Sequence, residues 1–140
     1  MLRGGLPPNK RGTIDAKHRI RRELHPQVRQ LWRNDMSEAW TPAEGKNRAP
    51  IDVLADEHAK WGFRFAPLVT RRNQLAASID VLMLRRDGPP HIFGDSGDLD
   101  GRVKTLLDGL RMPRQQTELG GATPAADENP LFVRGRQLDL

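Results

Sequence analysis

Prolines and glycines divide this chain before any other feature does. They recur through residues 4–12, 37–50, 85–90 and 120–130, where fixed φ angles, missing amide donors and unrestrained backbone oppose regular elements. Helices and strands are therefore expected between these stretches. With 140 residues in all, those pieces can bury one core of ordinary size but not two independent ones. The expectation is a single domain over residues 1–140.

The first uninterrupted stretch predicts a helix. Asp15 can cap it, and Ile20, Leu24, Val28, Leu31 and Trp32 recur at helical spacing, leaving Lys17, Arg21, Arg22 and Arg29 on a polar side. Pro26 should kink this helix or begin a second segment near His25. Ile51, Leu54 and Ala55 support one or two helical turns before Lys60. Residues 61–69 alternate around Phe63 and Phe65, and residues 75–84 alternate through Ile79, Val81 and Met83. Both read as strands, with Arg71-Arg72-Asn73 as the hairpin connection. Val103, Leu106, Leu107 and Leu110 then mark a helix that Pro113 stops. Residues 114–130 read as a mobile loop, and Leu131-Phe132-Val133 as the last strand. Residues 4–12 read as a short strand running into a basic loop. Together these predict an α/β (α+β) fold, a mixed sheet with flanking helices.

Composition excludes several kinds of chemistry. There is no cysteine, which removes disulfides, thiolate nucleophiles and cysteine-bearing zinc sites. The four histidines stand too far apart for a paired metal motif, and His18 and His25 are expected on a solvated or phosphate-contacting helix face. No serine or threonine sits in a pattern that supports a nucleophilic triad. Residues 5–10 lack the second glycine and the hydroxyl residue of a phosphate-binding loop. Met1 to Pro8 form no apolar signal core, and no stretch reaches about 20 apolar residues, so a cytoplasmic protein outside the membrane is expected.

The net charge of +5 is carried at the front. Residues 1–36 hold nine Lys/Arg against three Asp/Glu, so that segment is +6 and the remainder −1. Such an excess attracts polyanions over long range and gains from counterion release. A solvated helix face is the plainer reading of the same charges. Trp32 and Trp61 read as core residues, while Trp40 is open to core packing or base stacking.

One segment carries candidate chemistry. If Asp98-Leu99-Asp100 is extended, both carboxylates point to one side and Leu99 to the other. Lys104 and Asp108 follow at steps of four on the next helix, giving an acid, a base and an acid along one stripe. Oxygen ligands of this kind suit Mg²⁺, with Lys104 neutralising charge on a phosphate. Helix capping by Asp98 or Asp100, with ordinary i,i+4 ion pairs behind it, accounts for the same residues without a metal.

Gly97-Asp98-Leu99-Asp100-Gly101-Arg102-Val103-Lys104-Thr105-Leu106-Leu107-Asp108-Gly109-Leu110 resembles the Asp-Leu-Asp-Asn-x-x-Lys…Asp-x-Leu signature of RusA-like Holliday-junction resolvases. Leu6-Pro7-Pro8-Asn9 resembles the opening of that family. The resemblance covers about twenty residues. It implies a homodimeric, Mg²⁺- or Mn²⁺-dependent endonuclease of mixed α/β fold that cuts branched DNA in recombination and repair, often encoded by phages or prophages. It further implies Asp98 and Asp100 as metal-binding carboxylates, Lys104 as the catalytic lysine, and Lys10 and Arg11 against DNA phosphates. Arg71 and Arg72 are expected as additional nucleic-acid contacts. Gly101 stands where the family has Asn, and the family's third, downstream carboxylate has no matching motif here. Asp127, Glu128 and Asp139 are the acidic residues available. A catalytically inactive DNA-binding or dimerising relative is the alternative expectation.

Overall fold

The computed structural model describes the backbone of residues 13–82, 84 and 96–135, and the side chains of residues 15–82, 84 and 101–135. The expected N-terminal strand, Lys10 and Arg11, Asp139, and the side chains of Asp98 and Asp100 lie outside that set.

Helix α1 (Thr13–Asp35) starts with Asp15 in its first turn and ends with Arg33 in its last, both complementing the helix dipole. It continues through Pro26 as one element, so no second segment begins there. The residue before a proline normally avoids the helical region. Here His25 is held by hydrogen bonds at both ring nitrogens, described below, and tertiary contact overrides the local preference. A short 3-10 helix (Ser37–Trp40) turns the chain towards α2 (Pro50–Glu57). Pro50 opens α2 where its missing donor is no loss, and Ile51, Leu54 and Ala55 are buried as their spacing predicts.

Strands β1 (Ala59–Lys60) and β2 (Phe63–Val69) form an antiparallel hairpin, with Ala59 opposite Arg64 and Lys60 opposite Phe63. Its two-residue turn, Trp61-Gly62, has φ of 53° and 81°. That is the twist a tight hairpin prefers, at the cost of holding a tryptophan in a left-handed conformation. The crossover through α3 (Ser96–Leu110) returns the chain to β3 (Leu131–Gly135), parallel to β2 with Phe65 beside Leu131 and Pro67 beside Val133. The described sheet has the order β1-β2-β3. A second 3-10 helix (Gln116–Leu119) lies between α3 and β3. The protein is a small single-domain α+β fold with a mixed sheet.

The strand period of two sorts the core. On one face Ala66, Leu68 and Phe132 pack with Trp32, Ala39, Ala49, Ile51 and Leu54. On the other, Phe63, Phe65, Leu131 and Val133 pack with Met112 and Leu119. Both faces being covered, β2 is buried at five of its seven positions.

Several expectations require correction. Residues 75–82 form no strand, and Arg71-Arg72-Asn73 is not a hairpin. β2 pairs instead with β3, and the turn after β2 folds back so that the Asn73 amide donates to the carbonyls of Leu68, at 2.9 Å, and Pro67, at 3.4 Å. Pro67 itself has no N–H to give a further strand. The buried face of α1 is also not the apolar stripe alone, since His18, Arg21 and His25 are buried and Leu31 is exposed. Of the apolar stripe on α3, Leu106 is buried but Leu107 is exposed. The loop 114–130 is anchored by buried Glu118, Leu119 and Glu128, and reaches β3 through a cis Asn129–Pro130 bond.

Candidate functional site

The acidic segment lies on the first half of α3. Residues 98 to 100 are helical, not extended. Positions two apart on a helix are separated by roughly 200° around its axis, so the strand argument for two carboxylates on one side does not apply. Lys104 is exposed and makes no ion pair or hydrogen bond among the described residues. The helix continues through Thr105, whose hydroxyl donates to the Gly101 carbonyl at 2.9 Å. That bond satisfies a backbone acceptor one turn behind it.

Asp108 serves a different purpose from the one its spacing suggested. Its carboxylate pairs with Lys17 at 3.0 Å and with Arg111 at 3.2 Å, joining α1 to α3. Burial acts to raise its carboxyl, but the hydrogen bond from Lys17 and the Arg111 guanidinium prevail and hold it below the usual carboxylate value. The expected acid–base–acid stripe is therefore divided: Asp108 belongs to the α1–α3 junction and Lys104 faces solvent.

That junction contains the charge cluster that local spacing conceals. Arg21 is 1% exposed. It donates to the carbonyls of Arg111 at 2.9 Å, Glu118 at 3.2 Å and Asp108 at 3.2 Å, and to the Glu118 carboxylate at 2.8 Å. Glu118 also accepts from Arg111 at 3.3 Å and from the amide of Arg114 at 3.2 Å. Burial pulls the Arg21 guanidinium below its usual value while Glu118 opposes that shift. Its planar fork reaches acceptors in three directions, a geometry lysine does not offer. Beside it, Gly109 lies so close to Ile20 that a β-carbon there would come within 2.7 Å of a methyl group. Glycine is what lets the two helices approach.

His25 closes the outer edge of β3. Its Nδ1 accepts the Phe132 amide at 2.9 Å, so Nε2 carries the proton and donates to the Asp127 carbonyl at 2.8 Å. Burial lowers its pKa, against the hydrogen bond to Asp127. This contact gives a strand edge a side-chain partner in place of another strand. Arg22 binds buried Glu128 at 3.0 Å and the Thr123 carbonyl at 2.6 Å, securing the loop before β3.

His18 lies in an open cleft of about 430 Å³ lined by Asp15, Arg19, Arg22, Glu23 and Ala122. Its ring packs edge-on against Phe63, with centroids 5.5 Å apart, and neither nitrogen has a hydrogen-bond partner. Burial, followed by Arg22 and Arg21, lowers its pKa to about 4. Both N-terminal histidines are thus neutral core groups, not the solvated phosphate contacts expected of them.

The remaining expected contacts are at the surface. Arg71 and Arg72 are exposed, and Arg72 pairs with Glu57 at 2.6 Å. Trp40 stacks on Phe132 at 5.6 Å, carries Arg33 over its ring at 5.0 Å and donates to the Trp32 carbonyl at 3.3 Å. It is a partly buried packing residue among the described residues. Among the described residues, no group of three or more His, Asp or Glu side chains is placed to hold a metal ion. No described helix is long and apolar enough to cross a membrane. No family model matches the chain, and no curated protein or solved structure matches it.

Proposed function

We propose that the protein is a cytoplasmic, Mg²⁺-dependent endonuclease acting on branched DNA as a homodimer, with Asp98 and Asp100 as metal-binding carboxylates and Lys104 beside the phosphate. The observation that carries this reading is the division of labour along α3. Asp108 is committed to a structural junction, whereas Lys104, one turn away and one turn after Asp100, is exposed and has no ion-pair or hydrogen-bond partner among the described residues. Carboxylates are the right donor chemistry for Mg²⁺, which takes one or two of them and completes its shell with water and phosphate oxygens. When bound, such an ion activates water and stabilises the leaving oxygen of a phosphodiester. Lys104 contributes a cation that no described side chain pairs with. The basic excess in residues 1–36 would attract DNA, but Lys17, Arg21 and Arg22 are drawn into internal pairs. Lys10, Arg11 and Arg71 are the better candidates for phosphate contact.

A second reading has its own support. The helical backbone at 98–100, which sets residues 98 and 100 roughly 200° apart around the helix axis, favours a DNA-binding domain without turnover. The variants Asp98→Asn, Asp100→Asn and Lys104→Ala, assayed on a labelled four-way junction with Mg²⁺, separate the two. Cleavage by the native chain that all three variants lose supports the nuclease. Metal-independent, salt-sensitive binding without cleavage supports the second reading.

A further inference from the structure

The cleft beside His18 is lined by no residue of the acidic segment or of the Arg21–Glu118 pair. Its volume of about 430 Å³ suits a small molecule. His18, in its lining, is only 5% exposed, yet neither ring nitrogen meets a hydrogen-bond partner. Buried polar groups are nearly always partnered, and one that is not keeps its desolvation cost unrelieved. A ligand seated in the cleft and closing on this ring supplies what the fold withholds.

The charges around the cleft select its occupant. Asp15 and Glu23 match Arg19 and Arg22 in number, so an ion of either sign meets repulsion as well as attraction. Glu23 is paired with Arg19 at 3.7 Å. Asp15 is exposed and has no ion pair or hydrogen bond among the described residues. Arg22 spends Nε on Glu128 and Nη2 on the Thr123 carbonyl, leaving Nη1 without a described partner. Residues 15, 18 and 22 share one face of α1, with about 5–6 Å between neighbouring β-carbons. That face therefore presents an uncommitted carboxylate one turn from an imidazole and a guanidinium N–H, and Ala122 adds an apolar wall. We infer that the cleft binds a small zwitterion, a free α-amino acid with an apolar side chain. Its ammonium group pairs with Asp15, and its carboxylate accepts from His18 and Arg22.

The test is isothermal titration calorimetry of the full chain with L-leucine, with N-acetyl-L-leucine, which lacks the ammonium group, and with L-leucinamide, which lacks the carboxylate. The inference predicts saturable binding of L-leucine, at least about tenfold weaker for each derivative. Asp15→Asn should weaken L-leucine binding to a similar degree with unchanged circular dichroism, because exposed Asp15 bonds to nothing in the described fold. His18→Phe should weaken it as well. The ring-proton NMR signals of His18 in the native chain should shift on adding L-leucine, which reads the same contact without a variant. No saturable binding of L-leucine up to about 10 mM overturns the inference. So does equal binding of the three ligands, an unaltered affinity in Asp15→Asn, or His18 signals that do not move.

Discussion

Replacing Glu118 by Ala would leave Arg21 as a guanidinium that is 1% exposed with no carboxylate in salt-bridge contact among the described residues, held only by main-chain carbonyls. Three hydrogen bonds to the Glu118 carboxylate disappear together, from Arg21 at 2.8 Å, Arg111 at 3.3 Å and the Arg114 amide at 3.2 Å. Removing one partner of a buried pair costs about 3–5 kcal/mol, because the remaining charge keeps its desolvation penalty. A domain of this size has a stability of only about 5–15 kcal/mol, so the variant should be close to unfolding. Arg21→Met removes the stranded charge but leaves several carbonyls without a donor. The double variant should therefore be more stable than the sum of the two single effects predicts, with a coupling of about 1–3 kcal/mol. Urea denaturation followed by circular dichroism gives all four stabilities, provided the slope is constant across the set. A loss below about 1 kcal/mol for Glu118→Ala, or additive single effects, would refute the view that this pair fastens α1 to the segment after α3.

Other consequences follow from the same packing. Gly109→Ala should destabilise by about 1–3 kcal/mol, since its methyl would meet Ile20, and Ile20→Ala in the same chain should recover part of that loss on thermal denaturation. His18 titrates at about 4 in the fold against 6.5 unfolded. The unfolded chain therefore binds the proton first, and the His18 contribution is complete above about pH 6.5 and lost as pH falls towards 4. It should amount to about 2 kcal/mol once screening by the adjoining cleft is allowed for, and His18→Phe should flatten a denaturation profile measured from pH 7 to pH 4. His25→Ala should cost about 1–3 kcal/mol by stranding the Phe132 amide, and hydrogen exchange at that amide should accelerate.

Local signals located most of the elements. The spacing of Ile51, Leu54 and Ala55, the alternation about Phe63 and Phe65, and Pro113 as a stop all describe neighbours within a few residues, and the structure has α2, β2 and the end of α3 there. Partnership is not a local property. Residues 75–84 alternate as a strand should, yet β2 finds its parallel partner more than sixty residues later in β3. Arg21, His25 and Arg22 look like members of a polar face because their partners, Glu118, Phe132 and Glu128, lie about a hundred residues away. The acidic segment was conspicuous from its composition. Its helical backbone was not, because a glycine at 101 and paired aspartates are weak helix formers that the rest of α3 carries into the helix.

The most direct test of the nuclease assignment is the native chain incubated with a labelled four-way junction and a matched linear duplex, with Mg²⁺ and with EDTA. The account predicts Mg²⁺-dependent cutting that favours the junction. Tight binding to the junction with no cutting under Mg²⁺ or Mn²⁺ would contradict it, leaving Asp98 and Asp100 as residues of a helix start.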